Sequence, residues 1–169
     1  LLIPNFNPGP LPYGPIPVGL AAVGPHMTKL AGEMADFVLL HPFVNVSFLN
    51  MVTLPALQKG LSKAGRDRGQ LKVVGSLFAF PEGDMADSNE ATVRQKIAFY
   101  GSTPAYHGVL EALGEGDLGP ELHRLSKKGE WKSMASLITD DLADRFRVRA
   151  PKDQLFEEVR ERFRGLSDR

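Results

Sequence analysis

Three short runs that are apolar on both parities limit most strongly what this chain can fold into: Ile16 to Val23, Asp36 to His41 around Phe37-Val38-Leu39-Leu40, and Leu71 to Phe80. A strand with one wet face alternates apolar and polar residues, whereas a strand covered on both faces reads as a continuous apolar run. Two helical stretches separate the runs. Met27, Leu30, Ala31 and Met34 fall at i, i+3, i+4 and i+7, an apolar stripe opened by Pro25 near the first turn. Phe48 to Ala64 carries Phe48, Val52, Leu57 and Leu61 on related faces, is interrupted at Pro55, and ends at Gly65, a candidate left-handed cap. Strand, helix, strand, helix, strand with apolar residues on both strand faces specifies an α/β fold, about three parallel strands covered by helices.

On either side of this unit the pattern changes. Seven of the thirteen prolines lie in the first 25 residues, and Pro4 to Pro17 reads as an extended lead-in because proline fixes φ and lacks the amide donor. After Asp87 everything reads as helical. Asp87 with Glu90 has the spacing of a capping box, and Val93, Ile97 and Tyr100 continue the stripe. Further helices are expected at 118–127, 132–145 and 151–164, the last with the stripe Leu155, Phe156, Val159 and Phe163. The 169 residues make one domain: a proline-rich lead-in over 1–15, the strand and helix alternation over 16–86, and a helical part over 87–169.

Composition narrows the function. Twenty basic residues balance twenty acidic ones, so no bulk field points to nucleic acid or to an anionic membrane, and a small molecule is the expected partner. The absence of cysteine removes disulfides and thiolate clusters and fits a reducing, cytoplasmic setting. The first residues lack the basic start of a signal peptide, and no apolar run approaches the ~18 residues of a membrane span. The opening on Leu1 is compatible with a partial chain.

The candidate site residues sit where strands give way to helices. Gly19 and Gly24 have Walker A spacing, but Pro25-His26 replaces the required Lys-Ser/Thr, which argues against a nucleoside triphosphatase. Val23-Gly24-Pro25, between a strand and a helix start, either points free backbone amides at an anion or is a plain turn. His41 closes the second strand, on the side where parallel sheets bind ligands, and Phe43 follows as a stacking candidate; a structural histidine is the other reading. His26, His107 and His123 have no metal-ligand spacing, so no metal site is expected. Arg145, Arg147, Arg149, Arg160, Arg162 and Arg164, interleaved with Glu157, Glu158 and Glu161, read as a solvated helical face. Ser102-Thr103 has no nearby base.

The stretch Pro15-Ile16-Pro17-Val18-Gly19-Leu20-Ala21-Ala22-Val23-Gly24-Pro25-His26-Met27, followed by Ala35-Asp36, His41-Pro42-Phe43, Leu54-Pro55-Ala56-Leu57, Ala64-Gly65-Arg66 and Ile97-Ala98-Phe99-Tyr100-Gly101-Ser102-Thr103-Pro104-Ala105-Tyr106, resembles the luciferase-like monooxygenase superfamily in its F420-dependent branch. The resemblance implies the C-terminal part of a TIM (β/α)8 barrel. The three runs would be its fifth to seventh strands, with the first four and the last absent. It also implies a flavin- or deazaflavin-dependent oxidoreductase with coenzyme F420, or alternatively FMN, as cofactor. Ala22, Val23, Gly24 and Pro25 would hold the phosphate end by backbone contact, His41 and Phe43 would line the mouth near the ring, and no catalytic residue is assigned. Phe37, in place of a usual glycine, would crowd the site, and His26, in place of Arg or Lys, would weaken the phosphate contact. A chain of this kind would be inactive alone. Two rival readings are a non-catalytic subunit that forms a homo-oligomer, such as a dimer, through its sheet edges, and an unrelated small enzyme binding a phosphorylated metabolite at Gly24.

Overall fold

The structure, a computed structural model, describes residues 14–168 together with Gly9 and Pro12, so most of the expected lead-in lies outside the described residues. The alternating unit forms as β1 (Gly19–Ala22), α1 (Pro25–Met34), β2 (Phe37–Leu40), a helical segment, and β3 (Lys72–Val74). β1, β2 and β3 pair in parallel in that order, with Leu20 opposite Val38 and Val38 opposite Val73. The segment after β2 starts as α2 (Val46–Phe48), widens into a π-helical turn at Leu49–Thr53, and continues as α3 (Leu54–Lys63). Pro55 has no amide to give the preceding turn, and the Leu54 N–H reaches back five residues to the Leu49 carbonyl. Gly65 has φ of 64°, as expected of a left-handed cap.

The third run does not stay one strand. It breaks at Gly75-Ser76-Leu77, and its second half, β4 (Phe78–Pro81), pairs in parallel with β5 (Arg147–Ala150) in a separate two-stranded sheet. The described residues therefore carry five short strands rather than three, and the region after Asp87 is not wholly helical. Between β4 and β5 lie α4 (Ala86–Gly101), a 3-10 turn at Pro104–Tyr106, α5 (His107–Glu111), α6 (Leu118–Lys127), α7 (Trp131–Ser136) and α8 (Asp140–Asp144); α9 (Leu155–Arg162) closes the chain. The Asp87–Glu90 capping box does not form, because α4 begins at Ala86 after Met85 and Asp87 already lies inside its first turn. The expected helix over 132–145 is two helices, the second capped by the Thr139 hydroxyl, which accepts from the Leu142 N–H at 3.2 Å.

The run Arg145, Arg147, Arg149 is likewise not a helical face. Arg145 caps the end of α8, whereas Arg147 and Arg149 lie in β5, and Arg147 is buried, paired with Glu90 of α4 and, at 2.9 Å, with Asp144. The solvated-face reading holds for Arg160 on α9 and for Arg164 just after it, which pair with Glu157 and Glu161, but not for Arg162, which donates to the carbonyls of Asp144 and Arg147.

Burial follows small residues more than the apolar stripe. α1 turns Thr28, Ala31 and Gly32 inward and leaves Met27, Leu30 and Met34 exposed. Small residues let it approach α3 closely: a Cβ on Gly32 would lie 2.4 Å from the Leu57 carbonyl oxygen, and one on Gly60 would lie 2.1 Å from that of Lys29. Arg66 ties the same corner together by donating to the carbonyls of Gly32, Ala35 and Gln70 at 2.7–2.9 Å. β1, β2 and β3 are covered on one face only. Val38, Leu40 and Val73 are buried, whereas Leu39 is exposed and joins Ile16, Phe37, Lys72 and Val74 along an open groove of about 660 Å³. The outer edge of β3 is partly occupied: Asp168 donates its N–H to the Val73 carbonyl at 2.8 Å, and its carboxylate accepts from the Val73 N–H at 2.7 Å. Among the described residues no helix is long and apolar enough to cross a membrane.

Candidate functional site

The C-terminal ends of β1 and β2 open into a cleft of about 340 Å³ that gathers Ala22, Val23 and Gly24 from one strand end and His41 from the other. The sequence puts it there because parallel strands of equal length bring their following residues side by side: Ala22 lies opposite Leu40, so Val23 and His41 leave the sheet together. Gly24 is the N-cap of α1, with φ −70° and ψ 154°, Pro25 takes the first turn, and neither a side-chain cap nor an acidic residue occupies that turn. A Cβ at Gly24 would meet nothing within 4 Å. In the first turn of this ten-residue helix the Thr28 N–H donates to the Gly24 carbonyl at 3.1 Å, the amides of His26 and Met27 have no protein acceptor among the described residues, and the helix dipole adds partial positive charge. Pro25 serves the helix start and has no amide to offer.

His41 is held in one orientation. Its Nδ1 accepts the backbone N–H of Phe43 at 3.0 Å, so the neutral ring carries its proton on Nε2. Tyr100 meets the ring edge-on at a centroid distance of 4.6 Å, and Tyr106 lies tilted at 5.2 Å. Burial holds the imidazole pKa below its ordinary value of 6.5. The sign follows directly: the folded state binds fewer protons than the unfolded one between the lowered value and 6.5, so His41 contributes stability above pH 6.5 that is lost as the pH falls through the folded pKa. The thermal midpoint of the wild type should therefore drop more between pH 7.5 and 5 than that of His41→Gln. Parallel pH dependences would show that His41 is not the group responsible.

Phe43 does not line this cleft. It is fully buried and stacks on Phe146 at 4.7 Å with rings 3° from parallel, so it is a core residue beneath the aromatic group. Phe37 does not crowd the cleft either. It starts β2 at the opposite strand end, and its ring occupies the space a side chain on Gly19 would need, 2.1 Å from such a Cβ. His26 is exposed in the first turn of α1. His123 Nδ1 lies 2.9 Å from the Ser102 carbonyl, and Asn45 is a buried N-cap that accepts from the Phe48 N–H at 2.8 Å. Ala105 and Tyr106 complete the cleft and were not singled out as site residues by local spacing. They reach it from a 3-10 turn far downstream of His41, and the signal that could have found them is the Ser102-Thr103-Pro104-Ala105-Tyr106 segment, where proline sets a turn between two aromatic residues.

The arrangement is a parallel α/β one with an uncapped helix start and aromatic rings at the strand ends, the place where barrel and doubly wound folds bind their ligands. The chain belongs to the luciferase-like monooxygenase family, whose sequence profile matches residues 4–169. It is 46% identical over 172 residues to an uncharacterized protein of Mycobacterium tuberculosis, covering 100% of this chain and 50% of that protein. It is 29% identical over 164 residues to the 5,10-methylenetetrahydromethanopterin reductase of Archaeoglobus fulgidus, covering 93% of this chain and 48% of the reductase. The fold is similar to that of the coenzyme F420 dependent tetrahydromethanopterin reductase of Methanopyrus kandleri, with a TM-score of 0.66 at 23% identity over 86% of this chain and 41% of that one. The chain thus spans about half the length of the curated relatives it matches.

Proposed function

We propose that the chain is part of an F420-dependent oxidoreductase and contributes the side of the site that holds the phosphate end of the cofactor. The observation that carries this reading is the uncapped first turn of α1 opening into the same cleft as the His41–Tyr106 ring pair. These residues fit such a group: free amides and a helix dipole for a phosphate, room at Gly24 for it to approach, and rings beside it for a planar system. Ala22, Val23 and Gly24 line the approach, and His41 presents an Nε2–H donor set by Phe43. When bound, the deazaflavin supplies the hydride chemistry, and the protein supplies binding and orientation. The substrate is a small molecule, and turnover needs groups from the part of the relatives that this chain does not span.

Titration with F420 and with FMN, followed by cofactor fluorescence, tests the reading. Gly24→Val should weaken F420 binding at least about tenfold, because the branched side chain enters the space before the amides. Folding should be unaffected, since no atom lies within 4 Å of a Cβ there and the backbone is ordinary. Equal affinities of the two proteins would remove the phosphate assignment, and tighter binding of FMN than of F420 would change the cofactor.

The open face of β1, β2 and β3 favours a second reading, association with another copy or another chain, because exposed Ile16 and Leu39 lie along its groove. Asp168 already occupies Val73 on the β3 edge, so that face is a better candidate than edge pairing.

A further inference from the structure

On the outside of the helical layer, α4 and α7 enclose a groove of about 490 Å³ that is separate from the cleft at the strand ends. Phe99 and Trp131 form its apolar walls, with ring centroids 6.3 Å apart and planes 44° from parallel, and the buried side chain of Met134 forms its floor. Both rings are 53% exposed, a large apolar exposure for two neighbouring aromatic residues. Lys96, a turn before Phe99, and Lys132, next to Trp131, also line the groove. Neither ammonium group has a carboxylate within ion-pair distance among the described residues, and no acidic residue lines the groove. The arrangement offers two ring faces and two unneutralised cations.

We infer that this groove is a binding site for a small planar anion, an aromatic carboxylate being the chemical class that matches it. The rings contribute stacking or edge contact to a flat apolar body, and the lysines contribute charge-assisted hydrogen bonds to its acid group. Size favours a small ligand over a protein. The volume lies within the ~300–1,000 Å³ of small-molecule clefts. Two half-exposed aromatic side chains of ~150–250 Å² each fall well short of the ~800 Å² that each partner buries in a stable protein interface. The inference stands apart from the cofactor reading, since it uses neither α1 nor the cleft. Tyr100 connects the two places: it lines the groove and also meets the His41 ring edge-on.

Trp131 is the single tryptophan, so its indole N–H gives one assignable nuclear magnetic resonance signal. The full chain is titrated with 2-naphthoate and with the neutral 2-naphthamide, and the same series is run on the Lys96→Gln/Lys132→Gln double variant. These exposed substitutions leave the packing untouched, and the dispersion of the spectrum reports the fold. Naphthoate should shift the indole signal saturably and bind at least about tenfold more tightly than the amide, the factor expected of one charge-assisted contact. The double variant should bind naphthoate no better than the amide. Equal affinity of acid and amide in the wild type, an indole signal unmoved by naphthoate, or unchanged naphthoate affinity in the double variant would each overturn the site. A failure of F420 to bind at the strand ends would leave these outcomes unaffected.

Discussion

Gly60→Val is expected to leave the chain largely unfolded, and Gly60→Ala to lower its stability by about 2–4 kcal/mol in urea denaturation, close to the upper end of overpacking costs. Alanine in place of glycine favours a helix interior by about 1 kcal/mol, so intrinsic propensity alone predicts the opposite sign. The contact decides it. The new Cβ would stand 2.1 Å from the Lys29 carbonyl oxygen and 3.0 Å from Gly32 Cα, both main-chain atoms of α1, which no side-chain rotation can move away. α1 and α3 would have to separate, and the packing around buried Ala31, Leu57 and Leu61 would loosen with them. Gly69→Ala is the control, since nothing lies within 4 Å of a Cβ there, and it should change stability by no more than ~0.5 kcal/mol. A Gly60→Ala variant as stable as the wild type would show that the helix crossing yields at little cost.

Arg147→Met should cost about 2–3 kcal/mol, less than the ~3–5 kcal/mol of a fully stranded buried charge, because Arg94 keeps one oxygen of Glu90 paired. Among the described residues, the Glu90 Oε2 and Arg147 Nη1 atoms are shut off from solvent and have no partner but each other. Removing the guanidinium leaves the carboxylate with Arg94, at 2.9 Å, on its other oxygen alone. Asp144 adds little to the pair because its side chain is 61% exposed. Burial, and then the neighbouring Arg149, push the Arg147 pKa down, in keeping with a cation that depends on its partner. The double variant Glu90→Leu/Arg147→Met, which removes both charges, should recover most of the loss. Simple addition of the two single losses, measured by chemical denaturation, would show that the groups do not act as a pair.

How much was legible in the sequence depended on how local the deciding interaction was. α1, α6, the cap at Gly65 and the interruption near Pro55 were legible because a few adjacent residues settle them: a proline at a helix start, a glycine with positive φ, a missing amide. β5 was not, because arginines at every second position look solvated until Glu90 and Asp144 are seen to neutralise Arg147. In the candidate site, the strand-end positions of Ala22 to Pro25 and His41 could be read from the alternation of strand and helix. Phe43 was misjudged, since an aromatic residue two positions past a strand can turn to the ligand or to the core, and Phe146 draws it inward. Tyr106 reaches the cleft only through a chain reversal that local spacing does not encode.

The sequence by itself determined the parallel α/β architecture, the starts of α1 and α6, the cap at Gly65, and the strand-end positions of Ala22 to Pro25 and His41, because periodicity, proline and glycine act within one or two turns of chain. Tertiary structure alone decided the split of the third apolar run between two sheets and the exposure of Met27, Leu30 and Met34 in favour of a glycine contact. It also decided the burial of Arg147, the inward turn of Phe43, and the pairing of Phe99 with Trp131 beside two free lysines. Each of these is a competition for the same space or charge between residues far apart in the chain, and its outcome exists only once the chain has brought them together.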